Sequence, residues 1–311
     1  MILVTGASGY VGSHLLERLK ERGEPVRGLV RGAGSAEKVK RAGFEAVQGD
    51  VTDKASLERA MQGVNTVVHL AAINRDRGKM TIDLVNRQGT VNVVDAAKAA
   101  GVGHIVNIIG LGADPTRSEP LPRSQGEGLA AIQASGIPST VITPSVIFGQ
   151  GDEFINTIAG LIRLAPILPV PGTGEALFHP VWVGDVAEAV MQSLAEPGRY
   201  QGVFPFGGPE IMTYNRIVAT VAQVMGRPCL RVPTPLFVLK PLVSLMNRTL
   251  AKPPVTPALV DLLGRPNVAN PNTALTVFHL KPKRLADGID YVRELTLGTF
   301  INRTLGRVEY R

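Results

Sequence analysis

The sequence predicts a doubly wound α/β fold, a parallel sheet covered on both faces by helices, followed by a smaller C-terminal α/β domain. Three observations carry this. Short β-rich runs alternate with helical patterns over the first 145 residues. A glycine-spaced loop lies between the first run and the first helix. After Pro144 the rhythm gives way to Pro- and Gly-rich loops.

Each element follows from its residues. Ile2-Leu3-Val4 reads as an apolar strand, and Val11, Leu15 and Leu19 then recur at i, i+4 and i+8 on a helix that Gly23 can end. Further strands are expected over 25–31, 45–48, 66–70, 105–109 and 139–143, with long helices over 80–100 and 119–135. The apolar runs point to strands buried on both faces, in the order 3-2-1-4-5-6. The sheet domain is drawn as 1–148 plus 178–206, and the smaller domain as 149–177 plus 207–311. In the latter, Phe154, Ile155, Ile158, Leu161 and Ile162 lie on one helical face, a core pattern.

Composition narrows the function. With 311 residues, 44% apolar and 19% charged, the chain can bury a large core, which excludes whole-chain disorder. Basic residues exceed acidic ones, 33 to 26, but are scattered, and aromatics at 5% are poor material for stacking bases; no nucleic acid is expected. The single Cys229 excludes an internal disulfide and any CxxC site and reads as a small hydrophobe; no metal site is predicted. No basic or hydrophobic leader precedes the first strand. The apolar segments 154–170 and 235–246 are broken by Arg163, Pro166, Lys240 and Pro241, short of the roughly 18–20 residues of a span. A cytoplasmic protein is expected. Phe237, Leu239, Leu242 and Leu245 beside Lys240 and Arg248 read first as an ordinary domain helix, with contact to a membrane or a protein complex as the alternative.

Thr5-Gly6-Ala7-Ser8-Gly9-Tyr10-Val11-Gly12 sits between the first strand and the first helix. The spacing Gly6, Gly9, Gly12 gives a tight turn, a close backbone approach to a pyrophosphate and close helix packing, while the helix N-terminus offers N–H groups and a positive dipole end. A nicotinamide dinucleotide is the expected ligand, held around the pyrophosphate by Gly6, Ser8, Gly9, Tyr10, Val11 and Gly12. After the second strand, a cofactor lacking a 2′-phosphate usually meets an acid. Here Arg27, Arg31 and Lys38 occur, with no acid between Glu24 and Glu37, so NADP(H) is expected over NAD(H), with Arg31 at the 2′-phosphate.

These residues resemble the short-chain dehydrogenase/reductase superfamily in its extended, atypical, epimerase/dehydratase-like branch, whose TGxxGxxG pattern is matched residue by residue. The resemblance extends through Gly49-Asp50-Val51, His69-Leu70-Ala71-Ala72, Asn86 in Val85-Asn86-Arg87-Gln88-Gly89-Thr90, Pro144 through Gly149, and His179 through Ala187. It implies adenine contacts at Asp50 and Val51, and a return of the segment 179–190 to the nucleotide-binding core. It also implies cofactor contacts at Leu70, Ala71, Ala72, Asn86 and Pro144. Within the superfamily the chain is most similar to the nucleotide-binding accessory subunit of respiratory complex I and its bacterial relatives, through Phe148-Gly149-Gln150-Gly151-Asp152 and the run from Pro254 to Asn267.

The superfamily's carbonyl chemistry uses a Tyr acid, a Lys four residues later and a Ser on the fifth strand. By context these positions fall at Leu121, Gln125 and Ile109, none of which can transfer or tune a proton. No catalytic residue is therefore assigned. His69, Lys79, Tyr214 and Glu127 are the alternative acids, each also explicable as a structural or solvated residue. The resemblance implies NADP(H) held in a structural, redox-sensing or respiratory-complex-associated role. An active reductase or sugar-nucleotide epimerase/dehydratase with an unconventional acid is the alternative, and an assembly factor independent of cofactor the third reading.

Overall fold

The computed structural model describes residues 1–250 and 253–307. In chain order the first stretch forms β1 (Ile2–Thr5), α1 (Tyr10–Glu21), β2 (Val26–Val30), α2 (Ala33–Arg41), β3 (Glu45–Gln48), α3 (Lys54–Ala60), β4 (Thr66–His69), a π-helical turn (Asp83–Gln88) running into α4 (Gly89–Ala99), β5 (His104–Ile108), α5 (Pro120–Gln133) and β6 (Ser139–Pro144). Then come β7 (Ile147–Phe148), α6 (Phe154–Leu164), β8 (Ile167–Pro171), β9 (Leu177–Phe178), β10 (Val181–Trp182), α7 (Val183–Ala195) and β11 (Gly202–Phe206). The remainder carries β12 (Met212–Thr213), α8 (Tyr214–Val224), β13 (Leu230–Thr234), α9 (Leu236–Thr249), α10 (Pro257–Leu263), α11 (Thr273–Thr276), a 3₁₀ turn (Asp290–Arg293) and α12 (Leu297–Thr304).

Two compact units result, Met1–Pro144 with Gly184–Phe206, and Ser145–Val183 with Gly207–Arg311. In the first, seven parallel strands run in the order β3-β2-β1-β4-β5-β6-β11. The expected order holds, with β11 added beyond β6. Every β1 side chain is buried, as expected of a sheet covered on both faces. Leu15, Leu16 and Leu19 of α1 face inward, and Leu3, Val67, Ile105 and Val141 form the floor beneath α3, α4 and α5.

In the second unit, Phe148, Phe178, Ile155, Ile158, Ile162, Ile217 and Val221 make the core. The expected apolar face of α6 packs there, with Phe154 and Leu161 at its edge and Cys229 partly buried beside it. Three two-stranded pieces frame this core: β7 with β10, β9 with β12, and β8 with β13.

Several boundaries differ from expectation, for identifiable reasons. The units divide at Pro144 and Gly184 rather than at 148 and 178, because Ile147–Phe148 pairs with Val181–Trp182 inside the second unit. The helix expected over 80–100 begins at Asp83. Arg77 and Met80 close a tight turn through mutual backbone bonds of 2.8 and 3.1 Å, and Asp76 and Thr81 side chains then accept the amides of Ile82 and Leu84 as caps. In α9, Leu239 does not share the exposed side with Phe237, Leu242 and Leu245; with Val243 it faces Val260 of α10 in a small separate cluster.

Candidate nucleotide-binding site

The loop after β1 is shaped by its glycines. Gly6 has φ +69°, and a Cβ there would lie 2.8–2.9 Å from the backbone of Leu70 and Ala71, so the position needs both the left-handed conformation and the space. The Gly6 carbonyl accepts the Gly9 amide at 2.9 Å. Gly12 is buried, and a Cβ on it would meet the Gly6 carbonyl oxygen at 2.3 Å; it lets α1 start hard against the loop. Gly9, extended and without a side-chain cap, precedes a first turn that holds no acid. The resulting concavity is polar, made of backbone, and lies at a positive helix end, which fits a pyrophosphate. Ser8, Tyr10 and Val11 are partly exposed along it.

A buried polar chain fastens β1 to β4 just beneath. The Asn86 carbonyl can only accept, so the Thr90 hydroxyl donates to it at 2.7 Å. Thr90 Oγ1 then accepts from His69 Nε2 at 3.0 Å, leaving His69 Nδ1 to accept the Thr5 hydroxyl at 2.7 Å. Thr5 Oγ1 in turn accepts the Leu70 and Ala71 amides at 3.2 and 3.3 Å. Burial pushes the His69 imidazolium down to about 4, so the ring is neutral at pH 7. With both nitrogens committed, His69 is a positioning residue and not the free acid weighed from the sequence. Sequence reasoning missed this chain, although Thr5 and His69 both end strands next to the glycine loop and lie opposite one another in the β1–β4 register.

The other expected residues are set out along the carboxyl ends of the strands. Arg31 follows β2, exposed, and makes no ion pair among the described residues. Arg27 is committed elsewhere, donating to Glu45 at 2.8 Å and to the Ala60 and Gln62 carbonyls at 2.9 and 2.8 Å, which removes it from the ribose candidates. Lys38 is exposed on α2. After β3, Asp50 Oδ1 accepts the Thr52 amide and hydroxyl, both at 2.9 Å. The Val51 side chain turns into the core against Gly89, and its carbonyl accepts from Asn92, so its amide is the part left for a ligand.

Asn86, in the π-helical turn, clamps the loop after β4. Its Oδ1 accepts the Ile73 amide at 2.9 Å and its Nδ2 donates to the Ile73 carbonyl at 2.8 Å. It pins the loop at Ile73, directly after Leu70, Ala71 and Ala72. Ala72 is exposed. Pro144 ends β6, buried, its carbonyl accepting the Leu111 amide at 3.0 Å. Strands β1 and β4, whose connections run off to opposite sides of the sheet, are neighbours, and ligands of such sheets bind at that switch.

At the three proton-transfer positions, Ile109 is packed in the core just after β5, and Leu121 lies partly buried in the first turn of α5. The Gln125 side chain rests against Gly110, its Oε1 3.1 Å from where a Cβ would stand. Glu127 pairs with Arg87 at 3.4 Å, and Arg87 also grips Asp83 at 2.7 Å. Lys79 sits in the exposed 77–80 turn, and Tyr214 is buried in the second unit's core, where burial drives its hydroxyl's pKa up.

A family described as NAD(P)H-binding matches residues 6–148. A (4-alkanoyl-5-oxo-2,5-dihydrofuran-3-yl)methyl phosphate reductase from Streptomyces griseus is 30% identical over 284 residues, 86% of this chain and 94% of that protein. The chain belongs to the NAD(P)H-binding, short-chain dehydrogenase/reductase-like family. Family relatives include an NAD(P)H azoreductase from Xenophilus azovorans, 29% identical over 73% of this chain and 75% of that one. They also include the mouse mitochondrial NADH dehydrogenase [ubiquinone] 1 alpha subcomplex subunit 9, 26% identical over 76% of this chain and 64% of that protein. The structure of Citrobacter triphenylmethane reductase complexed with NADP(H) shares the fold, with a TM-score of 0.77 at 20% identity over 94% of this chain and all of that one. As a family member the chain binds a nicotinamide dinucleotide.

Proposed function

We propose that this protein holds NADP(H) in a structural or redox-sensing role, without the family's usual proton-transfer set. The observation that carries the reading is the trio Ile109, Leu121 and Gln125: two side chains with no ionisable group and one neutral amide. Glu127 and His69 are committed to Arg87 and to the two threonines, so neither supports a substitute acid.

In this reading the backbone of Ser8, Gly9, Tyr10 and Val11 faces the pyrophosphate, with Gly6 and Gly12 as spacers. Arg31 takes the 2′-phosphate, which makes NADP(H) the preferred cofactor. Asp50 and the Val51 amide take the adenine. The nicotinamide end lies along Leu70, Ala71 and Ala72, positioned by Asn86, toward Pro144. When bound, the cofactor can supply a hydride. Attachment to a protein complex, the setting of the respiratory-complex relative, is the partner this role implies.

The reading is tested by following the near-ultraviolet absorbance of NADPH with the protein and a broad panel of aldehydes, ketones and nucleotide sugars. Retention of reduced, bound NADPH is expected, and rapid oxidation overturns the reading. A second reading, an active reductase, is favoured by the Streptomyces phosphate reductase and the Xenophilus azoreductase among the relatives. An acceptor that draws its proton from water would need no side-chain acid, so an azo dye and a (4-alkanoyl-5-oxo-2,5-dihydrofuran-3-yl)methyl phosphate in the same assay distinguish the two.

A further inference from the structure

The second unit carries an apolar helix face that is exposed among the described residues. Helix α9 packs against α10 through Leu239 and Val243, while on its other side Phe237, Val238, Leu242 and Leu245 are 77%, 47%, 53% and 59% exposed. Phe237, Pro241, Leu245 and Arg248 follow one another at helical spacing, so the stripe ends on a cation. The charge of the surrounding sequence is one-sided. Residues 211–260, fifty in all, contain no Asp or Glu but six cations, Arg216, Arg227, Arg231, Lys240, Arg248 and Lys252. Lys240 reaches out of this stretch to Asp261 at 2.7 Å; Arg248 makes no ion pair among the described residues.

We propose that the exposed face of α9 lies in the interface of an anionic phospholipid bilayer, with its apolar side chains among the upper acyl chains and the neighbouring cations on lipid phosphates. The helix has 14 residues, and among the described residues no helix is long and apolar enough to cross a membrane, so α9 lies on the bilayer and does not span it. A second copy of the chain is the poorer occupant, because a symmetric contact brings two α9 faces together whose own charges, Lys240 and Arg248, are both cationic. An anionic lipid surface satisfies the apolar face and the charge at once. The inference stands whether or not the bound nucleotide turns over.

The test is flotation of the full-length protein with vesicles of pure phosphatidylcholine and with vesicles containing about one-third phosphatidylglycerol. Binding should be about tenfold or more tighter to the anionic vesicles and should weaken as salt is raised. It should be lost in Phe237→Ser/Leu245→Ser and cut about fivefold in Arg248→Glu, each with unchanged NADPH affinity as the folding control. Equal binding to both vesicles, or full binding by the double variant, overturns the proposal. So does a dimer that the double variant dissociates while neither form floats.

Discussion

The imidazole of His69 is oriented by two threonine hydroxyls and cannot turn without breaking one of those bonds. Thr90→Val keeps the shape but leaves His69 Nε2–H and the Asn86 carbonyl without their partner. A loss of about 1–3 kcal/mol in unfolding free energy is expected in urea denaturation. An unchanged midpoint and slope would mean that water replaces the hydroxyl. Arg31 is the opposite kind of residue, exposed and without an ion pair among the described residues. Arg31→Ala is expected to weaken NADPH by roughly 10–100-fold and to leave NADH within about twofold, by calorimetric titration. Equal losses for both nucleotides would remove Arg31 from the 2′-phosphate.

Among the elements, those with a strong pattern were legible in the sequence. The apolar runs of β1, β4, β5 and β6 and the i, i+4 spacing of α1 gave the sheet order, and the glycine loop between β1 and α1 was legible as the loop proposed for the phosphates. Helix α2 was not legible because Val39 is its single buried residue, and α3 because it is barely two turns long. β11, with Gly202 and Pro205 and an exposed first half, carries no strand pattern, and its pairing with β6 depends on residues about sixty positions earlier. The chain from Thr5 to Asn86 was hidden for a related reason: each member is an ordinary polar residue until the register brings them together. Packing precision is equally invisible from the sequence. In α6, Gly160 leaves room for the Phe300 ring of α12, which a Cβ would meet at 2.0 Å. Gly160→Ala is expected to cost about 1–3 kcal/mol by overpacking despite its better helix propensity, read through Trp182 fluorescence. Phe300→Leu in the same chain should recover part of it. Stabilisation by the alanine would show that the ring swings away freely.

Across the whole molecule, buried ionisable groups act on acid stability in opposite senses. The His69 value of about 4 lies below its unfolded 6.5, so between them the unfolded chain holds the extra proton. Stability therefore falls as the pH drops through that window. Burial lowers His104 and His179 and adds to the same loss. Asp152 works the other way. Burial raises it from 3.8 to about 6, against hydrogen bonds from Tyr291 and the Ile155, Asn156 and Gly149 amides, so below about pH 6 the folded chain keeps a proton that the unfolded chain releases. Asp152→Asn should therefore lose about 1 kcal/mol more stability than the parent between pH 7 and 5, measured by denaturation followed at Trp182. Equal losses would show that the carboxyl stays ionised in the fold.

The position of β11 also bears on how the protein is made. When Pro144 leaves the ribosome, six strands of the sheet can pair, but β6 has an open edge. Its partner, Gly202–Phe206, is encoded only after the whole 145–183 excursion. At about 5–20 residues per second, that edge, Thr140-Val141-Ile142-Thr143, stays bare for several seconds. A chain that stalls or is cut between 145 and 201 would present it permanently. Nascent chains arrested there should collect holdase chaperones or aggregate, and those released just past 206 should not.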